Sequence, residues 1–138
     1  MGSGAFADFS GTYELTGGER YEAYLESIGV AAADREAMAS AQQTVTVKQE
    51  GDHYTLTTTT PARTTVLRFT LGQEYVATYD DGRQVKGIAR RDGNFVQQRL
   101  KVGGSYETTV VSVIGDAGFE VMFKGVGVDA KRSYRRLA

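Results

Sequence analysis

The sequence contains no cysteine, one proline (Pro61) and one histidine (His53) among its 138 residues. Without cysteine there are no disulfides and no thiolate chemistry, and the composition fits a reducing, cytoplasmic setting. A lone histidine excludes the usual multi-histidine zinc sites, so neither a metal nor another cofactor is expected. No apolar run approaches the length of a membrane-spanning helix. The opening Met1-Gly2-Ser3-Gly4-Ala5-Phe6 has neither a basic nor a hydrophobic signal region, so no signal peptide is expected there. An excess of one charge is also missing. Sixteen basic and 17 acidic residues leave a net charge of −1, with the signs interspersed. That balance gives no general pull toward nucleic acid or an anionic membrane.

What the chain does have is glycine, 17 of them, mostly at short intervals. Between them lie runs rich in Thr, Val, Tyr and Phe, the composition of antiparallel strands joined by tight turns. Turn signals fall at Gly51-Asp52, Pro61-Ala62, Leu71-Gly72, Asp81-Gly82, Asp92-Gly93-Asn94, Gly103-Gly104 and Gly115-Asp116. Their spacing is roughly ten residues, the period of an up-and-down meander. Strands are expected near 9–16, 43–50, 53–60, 64–70, 73–80, 83–91, 94–101, 106–114, 118–125 and 127–136, in one domain spanning 1–138 with residues 1–5 flexible.

One segment, 19–41, breaks the rhythm. Tyr21, Tyr24, Leu25 and Ile28 fall at i, i+3, i+4 and i+7, one face of a helix, and Gly29 is placed to stop it. Val30 through Ala41 is Ala-rich and suits a second short helix with a stripe of Ala33, Ala37 and Ala41. A helix pair of this length is too short to cross a whole sheet but long enough to cap one open end of a barrel.

The strands alternate only partly in polarity. Thr57-Thr58-Thr59-Thr60 places hydroxyls on both faces, while Tyr75, Ala77 and Tyr79 face one way and Val76 and Thr78 the other. A barrel with a partly hydrated interior tolerates this; a two-sheet sandwich with polar outer faces remains the alternative on periodicity alone. In the tail, Arg132 and Tyr134 lie two apart and share one face of a strand. A guanidinium facing an apolar interior keeps its charge and needs an anion or a wet network. A planar Arg fork beside a Tyr hydroxyl suits a carboxylate. The plainer reading is an ordinary surface pair, and a basic nucleic-acid patch is a third. For catalysis the sequence offers little: the carboxylates Glu74, Asp80 and Asp81 have no His or Cys partner, and neither a nucleophile-elbow nor a phosphate-loop motif is present.

Several of these segments resemble, in order, the intracellular lipid-binding proteins, which include the fatty-acid-binding and cellular retinoid-binding proteins. Phe9-Ser10-Gly11-Thr12-Tyr13-Glu14-Leu15 is similar to that family's Phe-x-Gly-x-Trp-x-Leu first strand, with Tyr13 in place of Trp. Tyr21 through Val30 resembles its first helix running into Gly-Val, and Gln49-Glu50-Gly51-Asp52-His53 its second hairpin. Phe69-Thr70-Leu71-Gly72-Gln73-Glu74-Tyr75 is similar to Phe-x-Leu-Gly-x-Glu-Phe, and Asp81 through Lys86 and the closing Arg132-x-Tyr134 follow in register. The similarity runs from about Phe6 to Arg136, with room for one short insertion after Asp116.

The resemblance implies an all-β, ten-stranded antiparallel up-and-down barrel (a β-clam, or calycin) capped by a helix-turn-helix lid over 19–41. It implies intracellular binding and transport of a long-chain fatty acid or similar hydrophobic carboxylate, not catalysis, by a cytoplasmic monomer that contacts membranes transiently if at all. Arg132 and Tyr134 would hold the ligand carboxylate. Tyr21, Leu25, Ile28, Thr58, Thr60, Ala62, Arg83 and Val111 would line the cavity or its portal, between the lid and the turns at Thr60-Pro61-Ala62 and Asp80-Asp81-Gly82. The second Arg that many members carry on the strand beginning near Tyr106 is missing, since this stretch reads Thr108-Thr109-Val110-Val111-Ser112-Val113. A retinoid carrier, with Gln98 or the Thr wall meeting an alcohol or aldehyde, and a ligand-free structural barrel are the alternatives.

Overall fold

The computed structural model describes residues 8–78, 84–102, 106–125 and 127–137. Its elements follow the order β1 (Gly11–Glu19), α1 (Tyr21–Ser27), α2 (Ala32–Ser40), β2 (Thr44–Glu50), β3 (His53–Thr59), β4 (Thr64–Thr70), β5 (Glu74–Thr78), β6 (Gln84–Asp92), β7 (Phe95–Val102), β8 (Tyr106–Ile114), β9 (Gly118–Lys124) and β10 (Asp129–Arg136). The strands form one antiparallel sheet in the order β4-β3-β2-β1-β10-β9-β8-β7-β6-β5. The sheet curls into a nearly closed barrel, with β4 and β5 as its two unpaired edges. Sequence neighbours pair except at β4 and β5, where the sheet is open, and β1 and β10 join to bring the two ends of the chain together. This is a barrel, not the two-sheet sandwich that periodicity left open.

Alternation decides what fills it. Tyr13, Val45, Val47, Tyr54, Phe69, Val85, Ala89, Val96 and Val121 point inward and are buried. On β5, Tyr75 and Ala77 turn inward while Val76 and Thr78 are exposed. The end of the barrel away from the lid is plugged by aromatic rings. Phe9, Tyr13 and Phe119 meet edge to face, with centroids 4.8–5.9 Å apart. Two guanidinium groups close the same end. Arg91 donates to the Tyr54 hydroxyl, to Gln49 Oε1 and to the Gly93 carbonyl, and Arg136 donates to the Ser10 carbonyl.

At the other end sit the helices. β1 carries a bulge between Leu15 and Gly17, then runs so close to β10 that a Cβ on Gly18 would lie 2.3 Å from the Lys131 carbonyl oxygen. Only glycine fits that approach, and the chain then turns into α1. Gly29, with φ of 86°, ends the first helical segment. α1 is seated by Tyr24, Leu25 and the following Ile28, all buried, and by Tyr21 and Tyr24 against Phe123 of β9, each at 5.0 Å. α2 has no buried residue; Arg35 joins it to Glu26 of α1 at 3.4 Å. Among the described residues no helix is long and apolar enough to cross a membrane.

Candidate ligand-binding site

Beneath the lid lies a cavity of about 180 Å³. Its roof is Tyr21, Tyr24, Leu25, Ile28 and Met38 from the helical segment, and its walls include Leu67, Tyr75, Ala77, Val85, Gln98, Leu100, Val110 and Phe123. The lining is mostly carbon, and its polar atoms are the Gln98 amide and tyrosine hydroxyls. Such a surface favours an apolar guest.

Arg132 and Tyr134 point inward from β10, both buried. Arg132 Nη2 donates to the Ala39 carbonyl at the end of α2, at 3.0 Å, and its guanidinium lies over the Tyr21 ring. Among the described residues no carboxylate pairs with it. The buried cation is therefore met by a carbonyl, an aromatic face and the Tyr134 hydroxyl region, all neutral. Tyr134 donates to Gln43 Oε1 and stacks on Phe119 at 4.5 Å. Burial pushes its pKa above the ordinary 10.0, against the opposing pull of Arg132, so the hydroxyl remains a neutral donor.

Arg132 faces a second space of about 310 Å³, bounded by Leu15–Gly18 of β1, by Tyr21 and by the end of α2. Tyr21 lines both spaces. Its ring is the partition between the guanidinium and the apolar cavity.

Among the other residues expected at the site, Tyr21, Leu25 and Ile28 come together under the lid. Thr58 shares the inner face of β3 with Tyr54 and Leu56 and is half-buried, outside the cavity lining. Thr60 lies beyond β3 and closes the following turn on Arg63, and Ala62 is exposed in that turn. Val111 is a correction. On β8 the buried residues are Thr108, Val110, Ser112 and Ile114, so Val111 points to the outer face and Val110 takes the place in the cavity. Arg83 and the turn Asp80-Asp81-Gly82 lie outside the described residues, as do Tyr79 and the turn Gly103-Gly104.

Ser112 occupies the inward row of Arg132, two strands away through Val121. The inner face of β8 thus presents a hydroxyl, Ser112, and no second cation. Residues that the sequence did not single out for the cavity include Met38, Leu67, Val85, Leu100 and Phe123. Counting alternate residues from an inward anchor in each strand would have found all of these but Met38.

No family model matches the chain. Individual proteins do. The chain is 31% identical over 131 residues to the sodium/calcium exchanger regulatory protein 1 of Doryteuthis pealeii, covering 95% of this chain and 98% of that one. It is 30% identical over 132 residues to the fatty acid-binding protein homolog 6 of Caenorhabditis elegans, covering 94% and 97%. Among solved structures, the fatty acid-binding protein in brain tissue of Drosophila melanogaster superimposes with a TM-score of 0.84 at 36% identity, over 93% of this chain and 99% of that one. End-to-end similarity of this kind, on a ten-stranded barrel with the same helical cap, leads to one conclusion: the chain belongs to the fatty-acid-binding protein family.

Proposed function

We propose that this protein binds one long-chain fatty acid inside the barrel and carries it, without chemistry, as a cytoplasmic monomer. The observation that carries the reading is the buried Arg132, which has no carboxylate partner among the described residues and stands beside an apolar cavity. A ligand carboxylate supplies the missing charge, with the Tyr134 hydroxyl turning its proton from Gln43 to serve as a neutral second donor. The tail supplies most of the affinity. About fifteen methylenes at roughly 0.8 kcal/mol each give about 12 kcal/mol gross. Association and ordering take roughly half, which leaves about 6 kcal/mol from the tail, and a charge-assisted bond to Arg132 of about 1.5–3 kcal/mol brings the affinity to the order of micromolar.

The cavity is smaller than the roughly 300 Å³ at the lower end of ligand pockets, so uptake requires the roof to lift. That small volume also favours a second reading, a ligand-free structural barrel. Ligand transfer by transient membrane contact is part of the proposal. Glu22, Glu26, Asp34 and Glu36 are exposed on the helices, so contact with neutral lipid is favoured over anionic lipid.

Displacement of a fluorescent fatty acid by oleic acid and by oleyl alcohol tests the reading. Arg132→Ala is expected to weaken the acid by about 10- to 100-fold and the alcohol far less, because only the acid loses a charge-assisted hydrogen bond. Equal losses would make Arg132 structural. No displacement by either ligand would leave the structural barrel.

A further inference from the structure

The cavity holds a second polar feature, on the wall away from Arg132. The Tyr75 hydroxyl of β5 donates to Gln98 Oε1 of β7. β6 lies between them. Tyr75 is opposite Gly87, and Gln98 is opposite Ala89. A Cβ on Gly87 would lie 2.6 Å from the Leu100 side chain and 2.7 Å from the Tyr75 ring. Glycine at 87 therefore makes room for the ring to lie across β6 and reach Gln98. Burial holds the Tyr75 pKa above its ordinary 10.0, so its hydroxyl is a neutral donor that fixes the amide with its oxygen toward the tyrosine.

The arrangement uses the amide oxygen and leaves the nitrogen. Among the described residues the Gln98 side chain has no other hydrogen-bond partner. Its two N–H donors remain, in a cavity whose nearby walls are Leu67, Leu100 and Val110. A plain alkyl chain laid over that amide leaves the donors unpaired, which is unfavourable in an apolar site. An oxygen on the chain accepts from them. Sites built around a hydrogen bond discriminate strongly against a ligand that lacks it. β7 is three strands from β10, roughly 14 Å along the wall, so the amide meets the middle of a chain anchored at Arg132.

We propose that the Tyr75–Gln98 pair selects long-chain carboxylates bearing a hydroxyl or keto oxygen near mid-chain over unsubstituted fatty acids. The proposal rests on the fatty-acid reading and adds a substrate class to it.

The test compares delipidated wild type, Tyr75→Phe and Gln98→Leu, with dissociation constants measured for stearate and for stearate hydroxylated at mid-chain. Wild type is expected to prefer the hydroxy acid by about tenfold, one hydrogen bond's worth. Gln98→Leu is expected to abolish the preference while keeping or tightening stearate. Tyr75→Phe, which changes only one oxygen, is expected to reduce it, because the amide is no longer held in one orientation. If wild type binds stearate as well as or better than the hydroxy acid, the selectivity proposal is overturned while the fatty-acid reading stands. If the hydroxy acid is preferred equally by all three proteins, the preference comes from elsewhere and the proposal also fails. If neither acid binds wild type, both readings fall.

Discussion

The guanidinium of Arg132 lies 4.0 Å from the centroid of the Tyr21 ring. One contact thus joins the cation of β10 to the first residue of α1, and the same ring roofs the apolar cavity. A desolvated contact of this type contributes about 1–2 kcal/mol. Tyr21→Ala should remove both the latch and the partition. Ligand dissociation, followed by stopped-flow transfer to vesicles, should become several-fold faster, with global stability lowered by about 1–3 kcal/mol. Unchanged dissociation would show that Tyr21 does not gate the cavity.

Arg132 is buried without a carboxylate, and holding a charge in that state is unfavourable for the empty protein. Arg132→Met keeps much of the side-chain volume and removes the charge. Urea unfolding of the ligand-free variant should show stability unchanged or raised by about 1–2 kcal/mol, even as carboxylate binding is lost. A loss of several kcal/mol would mean that the bond to the Ala39 carbonyl outweighs desolvation.

Three inward tyrosines set an alkaline limit. Tyr13, Tyr75 and Tyr134 all have pKa values raised from 10.0, chiefly by burial. A raised folded pKa means that the folded state holds its proton more tightly. Their contribution is fully present below pH 10 and is lost as pH rises through the folded values. Stability should therefore be flat toward pH 10 and fall above it, and Tyr75→Phe should make that fall shallower. In Arg132→Met, tyrosinate absorbance should place the Tyr134 midpoint higher still, since Arg132 favours the phenolate. A midpoint moving down would contradict this assignment.

The lid should open from α2. That helix has no buried residue; it is held to the barrel by Met38 at the cavity and the Ala39 carbonyl on Arg132, and to α1 by the Arg35–Glu26 pair. Short helices held by so little are marginal and open at low free energy. Amide hydrogen exchange should be fastest in α2, slower in α1, and slowest in β7 and β8. Replacing 19–41 with a Gly-Ser linker should leave a folded barrel with faster ligand exchange. Protection of α2 equal to that of the barrel wall would rule out this route of access.

Turn chemistry and the 3.6-residue period made most of this architecture legible in the sequence. Glycine and Asp/Asn turns at ten-residue spacing placed ten strands, and Tyr21, Tyr24, Leu25 and Ile28 marked the one helix face that is buried. Choosing sandwich or barrel needed the β1–β10 pairing, which joins residues more than a hundred apart and leaves no local signal. Val111 failed for a definite reason. Val110, Val111 and Val113 put apolar residues on both faces of β8, so alternation could not fix which face was inside. The Tyr75–Gln98 bond was hidden because it depends on the register of three strands and on the missing side chain at Gly87. Arg132 was legible as an inward cation, but not its hold on α2, since a carbonyl 93 positions away is visible only after folding.

The central claim is that one carboxylate lipid occupies this barrel. Native mass spectrometry of delipidated protein mixed with oleate tests it most directly. The account predicts a single added mass of one oleate per chain in the wild type, and a much weaker adduct in Arg132→Ala. No adduct in the wild type, or several oleates bound alike by both proteins, would contradict it.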